Sequence, residues 1–162
     1  MALLITACTE PAAPAAAALP LTGRVVDAAN LLSPKQEQVL TERLIALEAD
    51  GKGPQFVVAT TPSLEGKEIN LYSIDLARAW RLGSKARNDG ILLLVAPNER
   101  KVRIEVGTGL EKQLPDNACT DIIEEQLLPA FRAGNLADGI AKGVDAIVAR
   151  LNAPSMPMRK AA

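Results

Sequence analysis

The stretch Asn88–Gly109, NDGILLLVAPNERKVRIEVGTG, decides the fold. Ile91 to Val95 is apolar at every position, so both faces of that strand must be covered and it belongs at the centre of a sheet. Pro97-Asn98-Glu99-Arg100 turns the chain. Lys101 to Val106 then alternates, with Val102, Ile104 and Val106 on one side and Lys101, Arg103 and Glu105 on the other. The two segments read as an antiparallel hairpin. Pairing Ala96 with Lys101 sets Ile91 against Val106 and Asp89 against Thr108. Asn88-Asp89-Gly90 and Gly107-Thr108-Gly109 therefore meet at one edge of the sheet.

Working outward, Gln55 to Thr61 (QFVVATT) is a β-branched strand stopped by Pro62, and Gly23 to Asp27 is a short extended edge piece. Between them, Ser33, Pro34 and Gln36 form the opening of a capped helix whose inner face carries Leu40, Leu44 and Leu47. Asp50-Gly51-Lys52-Gly53 ends it. A second helix spans about Glu68 to Leu82, with Leu71, Ile74, Ala77 and Trp80 inward, and Gly83 stops it. After the hairpin, Asp116 is positioned to cap a third helix bearing Cys119, Ile122, Ile123 and Leu127, broken up by Pro129 and Gly134. Leu136, Ile140, Val144, Ile147, Val148 and Leu151 mark a last helix. A strand-helix-strand unit implies a right-handed parallel crossover. The order predicts a three-layer α/β/α sandwich with a central mixed, mainly four-stranded sheet.

Length and charge bound the rest. The 162 residues carry a net charge of -1, which suits one domain, 21–151, with a leader over 1–20 and a disordered tail over 152–162. Aromatic residues are 2% of the chain, only Phe56, Tyr72, Trp80 and Phe131, so the core is aliphatic. The charge balance offers no nucleic-acid footprint. There is no histidine, which removes a Ser-His-Asp triad, a Cys-His pair and imidazole zinc sites. A metal here would be an oxygen-liganded ion such as calcium or magnesium. The apolar run Leu3-Leu4-Ile5 before Thr6-Ala7-Cys8 resembles a lipoprotein acylation site, though without a basic region ahead of it. Cys8 is then a lipid anchor to a membrane surface, and the Ala/Pro run Thr9 to Pro20 a spacer. No window is long and apolar enough to cross a bilayer.

The hairpin's open end carries the candidate chemistry. Asp89, Glu105 and Asp116 converge there, with backbone carbonyls around Gly90, Gly107 and Gly109, in an oxygen-rich setting that suits calcium or magnesium. From the residues alone the structural reading is favoured: Asn-Asp-Gly as a turn, Glu105 as a partner of Arg103 or Lys101 or facing water, Asp116 as a helix cap. Gly107-Thr108-Gly109 lacks the ending of a phosphate-binding loop, and Cys119 lies on an apolar helix face.

Several ordered segments together resemble the TPM domain. They are Val25-Val26-Asp27 with Leu31-Leu32-Ser33, Gln55 to Val58, Arg78 to Gly83, Asn88 to Ala96, Arg103 to Glu111, Leu114-Pro115-Asp116 and Pro129 to Gly134. The resemblance covers about Leu21 to Leu151. It implies a mixed sheet between helical layers, and an exported or membrane-anchored protein on the periplasmic or extracytoplasmic side of the cell envelope. It also implies a divalent cation, Ca2+ or Mg2+, in an acidic crevice. The family positions that match are Asp27, Asp89, Gly90, Gly107, Gly109 and Asp116, with Asn88 and Thr108 shaping the site. The family's usual Gly-Tyr-Gly stands here as Gly107-Thr108-Gly109. A parallel first strand puts Asp27 at the far end of the sheet from Asp89. The function so implied is that of an accessory or assembly module for a membrane-associated protein complex. The alternatives are a metal-assisted phosphatase, as the family's label suggests, and a ligand-free structural subunit.

Overall fold

The computed structural model describes residues 19–153; the acylation-like segment with Cys8, most of the Ala/Pro spacer and the tail from 154 onward lie outside the described residues. Four strands form one sheet in the order β1-β2-β3-β4. They are β1 (Val25–Asp27), β2 (Gln55–Thr60), β3 (Gly90–Ala96) and β4 (Lys101–Val106). β1, β2 and β3 are parallel and β4 is antiparallel to β3. Ile91 pairs with Val106 and Ala96 with Lys101, the register expected from the alternation. All seven residues of β3 are buried, which confirms its central place.

Helices cover both faces unequally. On one face lie α1 (Pro34–Glu48), α3 (Asp116–Ile122), a π-helical turn (Ile123–Leu127), α4 (Leu128–Arg132) and α5 (Leu136–Asn152). There Leu40, Leu44, Ile140, Val144 and Ile147 pack on Phe56, Val58, Ile91 and Leu93. The other face carries α2 (Ile69–Ala79), whose Tyr72 and Leu76 cover Val57, Ala59, Leu92 and Leu94. The aliphatic core is thus two cores divided by the sheet.

Four local expectations change. The inner face of α2 holds Tyr72, Ser73 and Leu76, while Leu71 is 57% exposed. Ser73 can be buried because its hydroxyl bonds to the Asn70 carbonyl, so an inner position here needs no apolar residue. The chain also stays helical through Pro129. The Leu128 N–H reaches Ile123 O, five residues back, and this wider turn places Pro129 in the first turn of α4, where its missing N–H costs least. Gly134, at φ +80°, then ends the helical run. Asp116 is the first residue of α3, with Pro115 at the cap position and no side-chain cap bond.

The fourth change concerns handedness. β1 to β2 and β2 to β3 step in the same direction across the sheet, yet α1 and α2 pack on opposite faces. The two crossovers therefore have opposite hands, and only one is right-handed. The preference for right-handed crossovers stems from strand twist, to which a three-residue β1 contributes little.

Candidate functional site

The hairpin's open end is built by close backbone approach. The Gly107 N–H donates to Gly90 O (2.8 Å) and the Gly109 N–H to Asn88 O (3.0 Å), so pairing continues past the strands. A Cβ at Gly107 would lie 2.1 Å from Asn88 O, and one at Gly109 would lie 1.7 Å from Arg87 O. Both glycines are therefore required for packing against residues 87 and 88, and Thr108 between them is exposed.

Asp89 is 5% exposed. Its carboxylate accepts from the Ser84 N–H (2.8 Å) and from Arg87 Nε (2.5 Å). Arg87 also donates to Gly51 O (2.8 Å), tying the end of α1 to the hairpin. Burial pushes the Asp89 carboxyl up. The Ser84 N–H and Arg87 outweigh burial together and hold the group below its ordinary range. Both oxygens are thus committed to the protein's own donors.

Glu105 projects from the α2 side of β4. Its Oε2 lies 3.4 Å from Arg103 Nε and 3.3 Å from Ser73 Oγ. Two cavities flank it. One, of about 320 Å³, lies between α2 and the hairpin beside Ile74, Arg78, Arg81 and Leu82. The other, of about 480 Å³, is a polar groove lined by Arg103, Glu105, Glu111, Leu114, Pro115 and Asp116. The structure therefore brings Glu105 and Asp116 to one groove, and adds Glu111, which only the chain's return past the β4 edge places there.

Asp27 lies elsewhere. It pairs in register with Thr60, itself in register with Val95, while Gly90 begins β3. Five residues of strand put about 17 Å between the two ends. Asp27 accepts from the N–H groups of Leu31 (3.0 Å) and Leu32 (2.8 Å) and from the Thr60 hydroxyl. It shapes the turn into α1.

These donors do not fit a divalent cation as a preformed cage. Calcium needs six to eight oxygens and magnesium six. Asp27 and Asp89 stand at opposite ends of the sheet with their oxygens used, and Glu105 is shared with Arg103. Among the described residues no three His, Cys, Asp or Glu side chains cluster closely enough to hold a metal. Cys119 offers no nucleophile: it is 5% exposed and burial, with Asp116 nearby, pushes its thiol up to about 11.

A four-stranded mixed sheet with one helix on one face and a helical layer on the other defines the class as an α/β sandwich. Within it, the chain belongs to the TPM domain family, whose profile matches residues 25–150. It is similar to the solution structure of the N-terminal domain of a P. gingivalis protein: 39% identity, TM-score 0.74, 81% of this chain and 83% of that chain covered. The N-terminal domain of a Corynebacterium glutamicum protein shares the fold at TM-score 0.61 and 14% identity, over 87% of this chain and 90% of that one. No curated protein matches the chain.

Proposed function

We propose that this chain is a non-catalytic TPM module of the cell envelope that serves a membrane-associated complex by binding a partner protein in the groove beside β4. The observation that carries this reading is the state of the carboxylates. Asp27 and Asp89 are consumed by internal N–H groups, Thr60 and Arg87, and Glu105 is shared by Arg103 and Ser73. The chain has no histidine and its buried Cys119 thiol is raised to about 11, so neither imidazole nor thiolate is at hand beside the groove. Glu111 and Asp116 leave the groove acidic, with Leu114 and Pro115 as an apolar wall. That lining suits a basic peptide segment carrying an apolar neighbour. The two similar solved structures are both N-terminal domains of larger proteins, which supports a modular role.

The test is hydrolysis of p-nitrophenyl phosphate with added calcium or magnesium. The expected outcome is no turnover above buffer. Turnover that disappears in Glu105→Gln or Asp116→Asn would overturn the non-catalytic reading and favour the metal-assisted phosphatase.

A further inference from the structure

The cations of this nearly neutral chain are not evenly spread. Arg78, Arg81, Lys85 and Arg87 fall within ten residues at the end of α2 and the loop after it, against the buried Asp89 and against Glu105, which lines the same cavity as Arg78 and Arg81 and is shared with Arg103. Arg87 is committed to Asp89. Arg78, Arg81 and Lys85 are exposed, and among the described residues none has a carboxylate within 4.0 Å. Across the sheet the balance reverses. The segment through α3 and the π turn holds Glu111, Asp116, Asp121, Glu124 and Glu125 against Lys112 alone. The sheet thus separates a basic end from an acidic layer.

We propose that the basic end of α2 docks on an anionic phospholipid surface. Three observations favour lipid over an acidic protein. Trp80, between Arg78 and Arg81 in sequence, is part-buried: with Leu82 and Leu19 it packs against the core under α2, and its remaining surface is of the amphipathic kind that seats at a membrane interface. Leu71 is 57% exposed two turns before Arg78 on the same stripe of α2, and the acid between them, Asp75, is paired with Lys67 at 3.4 Å. Finally, the Trp80 indole N–H donates to Leu19 O at 2.9 Å. The eighteen residues that precede Leu19 in the sequence therefore join the domain beside this patch. An attachment made through that segment would tether the domain from the side of this patch. The acidic layer on the opposite face makes the orientation one-way, because an anionic surface repels it. The acidic groove then stays free for a partner, although lipid docking does not depend on what the groove binds.

The experiment is co-sedimentation of the full chain, carrying Cys8→Ser so that no acyl group contributes. Phosphatidylcholine vesicles are compared with vesicles holding about 30% phosphatidylglycerol. The parent should sediment with the anionic vesicles only and be released at about 0.5 M NaCl, where screening shortens the field to a few ångströms. Each cation removed should weaken partition about fivefold, so Arg78→Gln/Arg81→Gln/Lys85→Gln loses on the order of a hundredfold. Lys35→Gln/Lys112→Gln/Lys142→Gln, three exposed lysines of the opposite layer, should leave it unchanged within about twofold. The proposal is overturned if the parent ignores anionic vesicles, which would assign the patch to an acidic protein. Equal binding to neutral vesicles, or a first triple variant that binds like the parent, would overturn it too.

Discussion

Asp89→Asn separates a structural carboxylate from a functional one. The substitution keeps shape and volume and removes the charge. Asparagine must also turn its NH2 toward either the Ser84 N–H or Arg87 Nε, which sets donor against donor where the carboxylate accepted both. The Ser84 bond to a buried charge is worth about 1.5–2 kcal/mol. Arg87 is 46% exposed in its side chain, so its ion pair is discounted to about 1 kcal/mol. The expected loss is about 2.5–3 kcal/mol. With a urea slope of about 2 kcal/mol/M, the midpoint should fall by about 1–1.5 M, followed by the fluorescence of Trp80, the single tryptophan. The pH dependence has a definite sign. Asp89 is held below its ordinary 3.8, so its contribution is complete above that value and is lost as pH falls through the lower folded value. The gap between parent and variant should therefore be constant at neutral pH and narrow only as pH falls below the ordinary 3.8. A midpoint unchanged or raised at neutral pH would refute the reasoning. It would mark Asp89 as a group kept for function at a cost in stability.

Further outcomes follow from the same geometry. Gly109→Ala would place a Cβ 1.7 Å from Arg87 O and should cost about 3 kcal/mol in thermal or urea unfolding, whereas Thr108→Tyr at the exposed position beside it should stay within about 0.5 kcal/mol. At pH 8 a thiol at about 11 is thiolate to about one part in a thousand, so peptide-resolved alkylation should leave Cys119 unmodified in the native protein and label it in urea. In residue-resolved NMR, millimolar calcium should leave the amides of Asn88, Asp89 and Gly90 in place, because the Asp89 oxygens are already bonded; a saturable shift there would show that Arg87 yields to the ion.

The fold was legible in the sequence wherever a residue's role depended on its neighbours in the chain. The uninterrupted run Ile91 to Val95, the alternation from Lys101 and the Ser33/Gln36 capping box state their structure locally, and the register followed from them. On α2, Ala77 and Trp80 pack on the core as their spacing says, but Leu71 does not, and only Asn70 and Glu105 explain why Ser73 goes inside. The π turn before Pro129 and the opposite hands of the crossovers leave no local mark. At the candidate site, the meeting of Asn88–Gly90 with Gly107–Gly109 was readable from pairing. That Ser84 and Arg87 use up Asp89 was not, because the loop over Ser84–Arg87 has no periodicity to place its donors.

The divergence of α1 and α2 to opposite faces has a consequence at the carboxyl ends of β1 and β2. In open α/β sheets, adjacent strands whose connections part in this way leave a cleft between them, and that cleft is where ligands usually sit. Here Asp27 and Thr60 stand at its mouth, and the chain closes it with its own backbone: the N–H groups of Leu31, Leu32 and Ala29 fill the acceptor positions a ligand would otherwise take. The chain's own backbone thus occupies the place its topology would offer to a small molecule. At the opposite end of the sheet and along the flank of β4, side chains from several elements meet around openings that the chain has not stoppered.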